Sequence, residues 1–374
     1  MNLDITLNKI LFFILLYPVI LFFPNILGEE GFWLTAPYFF SVFLFLFAFF
    51  IYSKQLKIPI RGTLFVLFVL FLVTVINFSS IRYSLPIFFG LYGIVLFIVL
   101  SSIKYNILHF KLVDYFLYLY FILSLPFLLS SIGYVHQGRF AGFVGSPTIY
   151  SGFITVMFVV ISLKLKLSSI KYIIFYIITL ILVYMTKTRL LLVFIIIYPI
   201  LRELLKTKLW LTNKNVFILF YGITIFIYPL YNILVEWFPN LVTSRYEGKT
   251  DTSFGLRNYL FLESKKYFLE GNLVEIIFGR GNEYARKFIH QLMSIDYMPH
   301  NDYLRILIDW GIFGFLIFSL LLYKLAIKNV YTLFISLTYM ILFYSNMIFN
   351  LFLLSILMLF YFKKEELPKI EKSN

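Results

Sequence analysis

Three stretches carry more chemistry than their apolar surroundings require. Arg139 lies in Gly138-Arg139-Phe140-Ala141-Gly142-Phe143-Val144-Gly145-Ser146-Pro147, and Arg189 lies in Thr186-Lys187-Thr188-Arg189-Leu190. An arginine at the centre of a membrane helix costs about 2.5–3.5 kcal/mol on insertion scales, so an arginine between apolar runs implies a compensating partner or a hydrated cavity. For Arg189 the plain alternative is snorkelling to head groups from a helix end. For Arg139 the surrounding glycines permit a re-entrant or tightly packed backbone. The third stretch is Tyr297-Met298-Pro299-His300-Asn301-Asp302-Tyr303-Leu304, directly before an apolar run. Histidine changes charge nearest neutral pH, which suits His300 to accept a proton from an attacking hydroxyl. A hydrogen-bonded loop histidine is the plain alternative. Arg305 and Asp309, four residues apart, can pair along one helix face, which reads as a structural ion pair. His109, His136 and His290 lack such a context and read as structural. Asp114, near the start of a helix, suits the dipole there and is assigned no chemistry.

The elements that must position these residues follow from composition. Of 374 residues, 61% are hydrophobic and 13% charged, with a mean hydropathy of +0.91, which is too little polar surface to clothe a soluble globule. Apolar stretches near the roughly 20 residues needed to cross the hydrocarbon layer recur along the chain. They predict an all-α polytopic membrane protein of about twelve transmembrane helices, at 10–27, 32–52, 62–79, 84–103, 112–132, 148–163, 170–186, 190–205, 215–235, 303–323, 329–345 and 347–363. The run from Asn329 to Phe362 exceeds one ordinary crossing and is divided at Ser345-Asn346, a polar pair suited to a short turn. The first run holds Pro18 and Pro24 without a small-residue cleavage site, and reads as a retained helix. The 47 Phe and 29 Tyr are assigned to lipid-facing and interhelical positions. With no cysteine in the chain, disulfides, thiolate metal sites and cysteine nucleophiles are excluded.

The net charge of +14 does not point to nucleic acid, because no compact basic domain exists and the lysines sit singly between apolar runs. They read as topology signals. With the N-terminus in the cytoplasm, more than half of the 32 Lys and Arg fall on that side, and the short external loops hold Arg82, Arg139, Lys187 and Arg189. Both termini are therefore expected to be cytoplasmic, with the chemistry on the external face of the membrane. The chain divides into 1–235, the first nine helices; 236–302, a long external loop; and 303–374, three helices and a short tail. In the loop, Phe254 to Glu270 mixes Leu256, Tyr259, Leu260, Phe268 and Leu269 with Arg257, Glu263, Lys265 and Lys266, and Gly271 follows. This pattern predicts an amphipathic interfacial helix with a glycine stop. A second short helix is expected over Glu283 to Met293.

The order of these signals resembles the bacterial O-antigen polymerase and O-antigen ligase family, the Wzy- and WaaL-like integral membrane glycosyltransferases with a GT-C-like helical fold. The resemblance is carried by Arg139 with its glycines, Thr188-Arg189, Arg257, Phe278-Gly279-Arg280-Gly281, and Pro299-His300-Asn301-Asp302-Tyr303-Leu304 followed by Asp309-Trp310-Gly311-Ile312-Phe313-Gly314. It covers roughly Arg139 to Gly314, and the last block is the most specific. The resemblance implies a polysaccharide polymerase for O-antigen or capsule. Its donor is a glycan on undecaprenyl diphosphate, moved at the external face onto the non-reducing end of another lipid-linked repeat unit. Neither nucleotide sugar, cofactor nor metal is implied; membrane lipid and a chain-length regulator protein are the further partners. Arginine forks can stabilise a leaving diphosphate through bidentate, always-charged hydrogen bonds. The resemblance assigns that work to Arg139, Arg189 and Arg257, and the proton transfer to His300, with Asn301 and Tyr303 in support. Arg280 stands where the family carries a small or apolar residue, and Lys187 adds a charge beside Arg189; each is read as an additional phosphate contact. Arg245 has no counterpart in the family pattern.

Three other functions compete. A ligase would transfer the finished glycan to lipid A core or to a protein; the chain shows no acceptor-specific soluble domain of the kind expected of protein-glycosylating members, which favours the polymerase. A flippase for lipid-linked sugars would want ionisable groups deep in several helices and two similar halves, and neither is apparent. A metal-dependent transferase would want an acidic pair; Glu29-Glu30 reads as a hydrated turn, and no Asp-X-Asp is present.

Overall fold

The computed structural model describes residues 110–135, 138–144, 147–206, 212–237, 244–245, 249–250, 252–281, 284–294, 301–327 and 330–342. Within them the chain is mostly helical, as expected of an all-α protein. Seven of the twelve expected spans fall on described helices; those at 10–27, 32–52, 62–79, 84–103 and 347–363, and the break at Ser345-Asn346, lie outside the described residues. By length and composition one described helix, Asp302–Lys324, is apolar enough to cross a membrane outright, at a mean hydropathy of 2.1. Tyr118–Leu129, Tyr150–Leu163, Ile170–Met185 and Thr332–Ile341 are shorter apolar helical stretches.

Two compact units are present, one running to Arg202 and the other taking in 203–348. In the first, α1 (Phe110–Leu129) leads through a single 3-10 turn into a two-stranded antiparallel ribbon, β1 (Tyr134–Val135) with β2 (Arg139–Phe140). A second 3-10 turn precedes α2 (Pro147–Lys164), α3 (Ile170–Met185) and α4 (Arg189–Lys206). The ribbon is absent from the sequence expectation, which foresaw only an unusual backbone around Arg139. It is pinned by Phe140, fully buried and edge-on to Tyr150, and by the Ala141 N–H donating to Gly133 O at 2.7 Å. Gly142, at φ 55°, brings the backbone so close to the Tyr150 ring that a Cβ would overlap it. At the opposite end of α2, Arg202 is buried and donates to Ser162 O (2.7 Å) and Leu165 O (2.5 Å). Its charge closes the C-terminus of α2, where carbonyls lack helical partners.

The second unit holds α5 (Asn213–Trp237), a small ribbon of β3 (Ser244–Arg245) with β4 (Lys249–Thr250), α6 (Thr252–Leu269), α7 (Leu273–Phe278), α8 (Tyr284–Met293), α9 (Asp302–Ala326) and α10 (Val330–Leu342). The two expected loop helices are α6 and α8. The amphipathic character, however, lies in α8 and not in α6. On α6, exposed Leu262, Lys265, Lys266 and Leu269 share one face, so its exposed side mixes apolar with charged residues, whereas α8 buries Ala285 and Ile289 and exposes Tyr284, Lys287 and His290. Between them α7 was not foreseen. It is built by a capping box: Asn272 Oδ1 accepts from Glu275 N (3.0 Å) and Glu275 Oε2 accepts from Asn272 N (3.1 Å).

Six serine and threonine hydroxyls bond within their own helices. Ser124, Thr155, Thr179, Ser319, Ser336 and Thr338 each donate to the carbonyl four residues earlier, at 2.7–2.9 Å. Such back-bonding lets a polar side chain lie in an apolar environment without an unsatisfied group.

Candidate active site

In the first unit the structure brings Arg139 to the α3–α4 hairpin. Arg139 is half-buried, and its Nε donates to Thr186 O at 3.0 Å, across 47 residues of chain. Thr186 ends α3, Lys187 turns the chain and Arg189 opens α4. Lys187 adopts φ 57°, a left-handed conformation uncommon outside glycine and asparagine, and such residues gather at functional turns. The hairpin is knit by hydroxyls: Thr188 Oγ1 lies 2.9 Å from Thr186 Oγ1 and 3.1 Å from Ser151 Oγ of α2. Thr186 is buried, Lys187 half-buried and Arg189 exposed. Two cations therefore flank a rigid turn, and a third, on β2, is tied to the same turn.

In the second unit two motifs that are separate in sequence form one junction. Gly311 interrupts α9 at φ 68°, ψ −172°, a region essentially reserved for glycine. In a continuous helix the carbonyls of Ile308 and Asp309 would accept from residues 312 and 313. Here they accept from outside the helix: Arg280 N donates to Ile308 O (2.9 Å) and Gly281 N to Asp309 O (3.0 Å). Gly279, at φ 85°, is pressed against Asp309 and Trp310 backbone, and Gly311 against Ile277 and Gly279 backbone, so a Cβ on either would collide. The expected uninterrupted helix over 303–323 is thus broken by design at this contact, because the loop supplies the hydrogen bonds that the break forfeits.

Charge at the junction is spent on structure. Arg305 Nε and Asp309 Oδ2 lie 3.7 Å apart with side chains 7% and 2% exposed, the structural pair expected from their spacing. Asp309 also caps α8, its Oδ1 accepting from Ala285 N at 3.0 Å. Arg280 is held by Tyr267 O (2.9 Å), by the Tyr267 ring (3.9 Å to its centroid) and by Glu275 Oε2 (3.4 Å). Asn301 is buried and caps α9, its Oδ1 accepting from Tyr303 N (3.0 Å) and Leu304 N (3.2 Å). Tyr303 is buried too, with its hydroxyl 3.2 Å from Thr224 Oγ1 of α5 and its ring edge-on to Tyr221; Tyr221 in turn meets Ser319 through their hydroxyls. Both residues fix where α9 begins, two positions after His300. His300 itself lies outside the described residues, as does the side chain of Arg257, whose backbone belongs to α6. Among the described residues no group of three His, Asp or Glu is placed to hold a metal ion.

Sequence reasoning passed over the capping role of Asp309, the break at Gly311 and the α2 closure by Arg202. The Asn272-to-Glu275 spacing could have located α7. The Asp309 and Gly311 roles need the loop to be present in three dimensions.

A sequence model described as O-antigen ligase (Wzy_C) matches residues 125–319, more than half of the chain, and the chain belongs to that family. The match runs from the end of α1 through the break in α9 and so contains both clusters. Members of the family are membrane-integral, glycosyltransferase-like enzymes, ligases or polymerases, of lipopolysaccharide and polysaccharide biosynthesis. No curated protein and no solved structure matches the chain.

Proposed function

We propose that this protein is a metal-independent polysaccharide polymerase, transferring a glycan from undecaprenyl diphosphate to the non-reducing end of a second lipid-linked repeat unit at the external membrane face. The observation that carries this reading is the tie between Arg139 and the Thr186–Arg189 hairpin. It gathers Arg139, Lys187 and Arg189 around one rigid turn, a cationic arrangement suited to a diphosphate. In the transfer, the bond between the sugar anomeric carbon and the diphosphate oxygen breaks while an acceptor hydroxyl oxygen bonds to that carbon. The electron pair leaves on the diphosphate, whose charge Arg139, Arg189 and Arg257 stabilise. The hydroxyl proton goes to His300. Arg280 adds a smaller contribution, since Glu275 offsets part of its charge. Lys187, Asn301 and Tyr303 support, the last two by setting the start of α9.

The family description as O-antigen ligase favours a second reading, in which the acceptor is lipid A core. The polymerase is preferred because, among the described residues of the loop, the helices α6 to α8 pack on α9 and on one another rather than forming a separate acceptor-reading domain. Purified protein reconstituted with lipid-linked repeat units and a metal chelator is expected to give a ladder of lengthened glycans on a gel. Transfer only when lipid A core is supplied would establish the ligase, and an unchanged single repeat with either acceptor would refute both.

A further inference from the structure

The loop carries an apolar surface that the transfer reaction does not use. On α7, Leu273, Val274, Ile277 and Phe278 are 73%, 66%, 37% and 54% exposed. Their spacing places them on one stripe of the helix. None of the residues of α7 is buried. The opposite side carries Glu275, which is committed to the capping box and to Arg280. Four large apolar side chains presented together on so short a helix are not a normal aqueous surface.

The stripe is continuous with the apolar face of α9. α9 is the described helix able to cross a membrane, and the family is membrane-integral. Beyond its break, α9 exposes Ile312, Phe313, Leu316 and Leu320, and in a crossing helix such a face meets lipid. The Phe278 and Phe313 rings lie 6.0 Å apart, joining the two faces. α7 is seated where α9 changes character. Before Gly311 the helix holds the buried Arg305–Asp309 pair; after it, apolar residues dominate as far as Leu322. That change of polarity turns the Asp302 end of α9, with the junction, toward the head groups and the Leu320 end toward the hydrocarbon. Lys265 on neighbouring α6 is exposed, as cations beside an inserted stripe should be to reach lipid phosphates.

We infer that α7 is a membrane anchor, inserted with the Leu273–Phe278 stripe among the outermost acyl carbons beside α9, so that the external loop is fastened to the bilayer surface as well as to the protein. The occupant of the stripe is lipid. Because Arg280 and Gly281 follow two and three residues after the stripe, and their N–H groups donate to the Ile308 and Asp309 carbonyls, the anchor also fixes this part of the loop at head-group depth. The inference does not depend on whether the enzyme is a polymerase or a ligase, and its test does not read activity.

The natural chain has no cysteine, so a single introduced cysteine carries the only label. Val274→Cys and Lys265→Cys in the full-length protein, each bearing an environment-sensitive fluorophore, are reconstituted into vesicles of phosphatidylethanolamine and phosphatidylglycerol. Quenching by aqueous iodide is then compared with quenching by lipids nitroxide-labelled high on the acyl chain. The Val274→Cys probe is expected to be quenched by the labelled lipid and several-fold less by iodide than the Lys265→Cys probe. Equal iodide quenching at the two positions would overturn the anchor. So would shielding of Val274→Cys from both quenchers, since it would mean that protein, such as a second copy of the chain, covers the stripe. Leu273→Cys, on the same exposed stripe, serves as a second probe with the same two outcomes.

Discussion

The α3–α4 hairpin and the α7–α9 junction both hold arginines close to tight backbone turns, but they use them in opposite ways. At the junction, Arg305 and Asp309 are buried together, and the turn is held by backbone hydrogen bonds from Arg280 and Gly281. At the hairpin, Arg189 is exposed and Lys187 and Arg139 half-buried, and the turn is held by hydroxyls and one arginine–carbonyl bond. Burial neutralises charge within the protein and stiffens it; exposure beside a rigid turn keeps charge at the surface, where an anion can reach it. The contrast separates arginine charge met within the protein from arginine charge left toward the surface, where the proposed diphosphate contact would be made.

Breaking the buried pair is expected to have the largest structural effect. Asp309→Ala leaves Arg305 buried without its partner and uncaps α8, and should cost about 3–5 kcal/mol, seen as loss of the monodisperse protein in detergent on mild heating. Gly311→Ala should follow at about 1–3 kcal/mol from backbone conformation alone, before the collision with Ile277 and Gly279 is added. Faster proteolysis within residues 252–294 of the Gly311→Ala variant would report the loop releasing from α9. Near-wild-type stability of either variant would mean that the junction is not the fixed contact described.

The hairpin should behave differently. Arg139→Lys keeps the charge and loses the Nε bond to Thr186 O, for about 1 kcal/mol of stability, yet glycan transfer should fall more than that loss of folded protein explains. Lys187→Gly is the smallest change in stability: relief of the left-handed strain offsets the added chain entropy, within about 1 kcal/mol either way. A drop in transfer from this variant at unchanged thermal stability would assign Lys187 to the ligand; unchanged transfer would leave it as a turn residue only.

The sequence made the scaffold legible to the extent that hydropathy governs it. Spans such as 170–186 and 190–205 coincide with α3 and α4 nearly to the residue because an apolar surrounding leaves a continuous apolar run only the helix to satisfy its backbone groups. The Arg305–Asp309 pair was legible for a similarly local reason, the four-residue repeat. The break at Gly311 was not, since its stability comes from carbonyl partners about 30 residues earlier in the chain. The amphipathic reading of α6 failed because composition was mistaken for arrangement, while the exposed stripe of α7 was hidden by its brevity. At the site, residue types pointed to Arg139 and Arg189 separately, whereas the bond from Arg139 to Thr186, three residues before Arg189, required the β1–β2 ribbon, whose two-residue strands have no periodicity to detect.

The central claim, that this membrane scaffold presents cations and a histidine to a lipid-linked glycan, is tested most directly in cells lacking the native gene and supplied with His300→Ala or Arg189→Ala at matched expression. Both variants are expected to insert normally and to lower long-chain glycan by about a hundredfold or more, leaving single repeats on lipid. Normal polymer ladders from both variants would contradict the account.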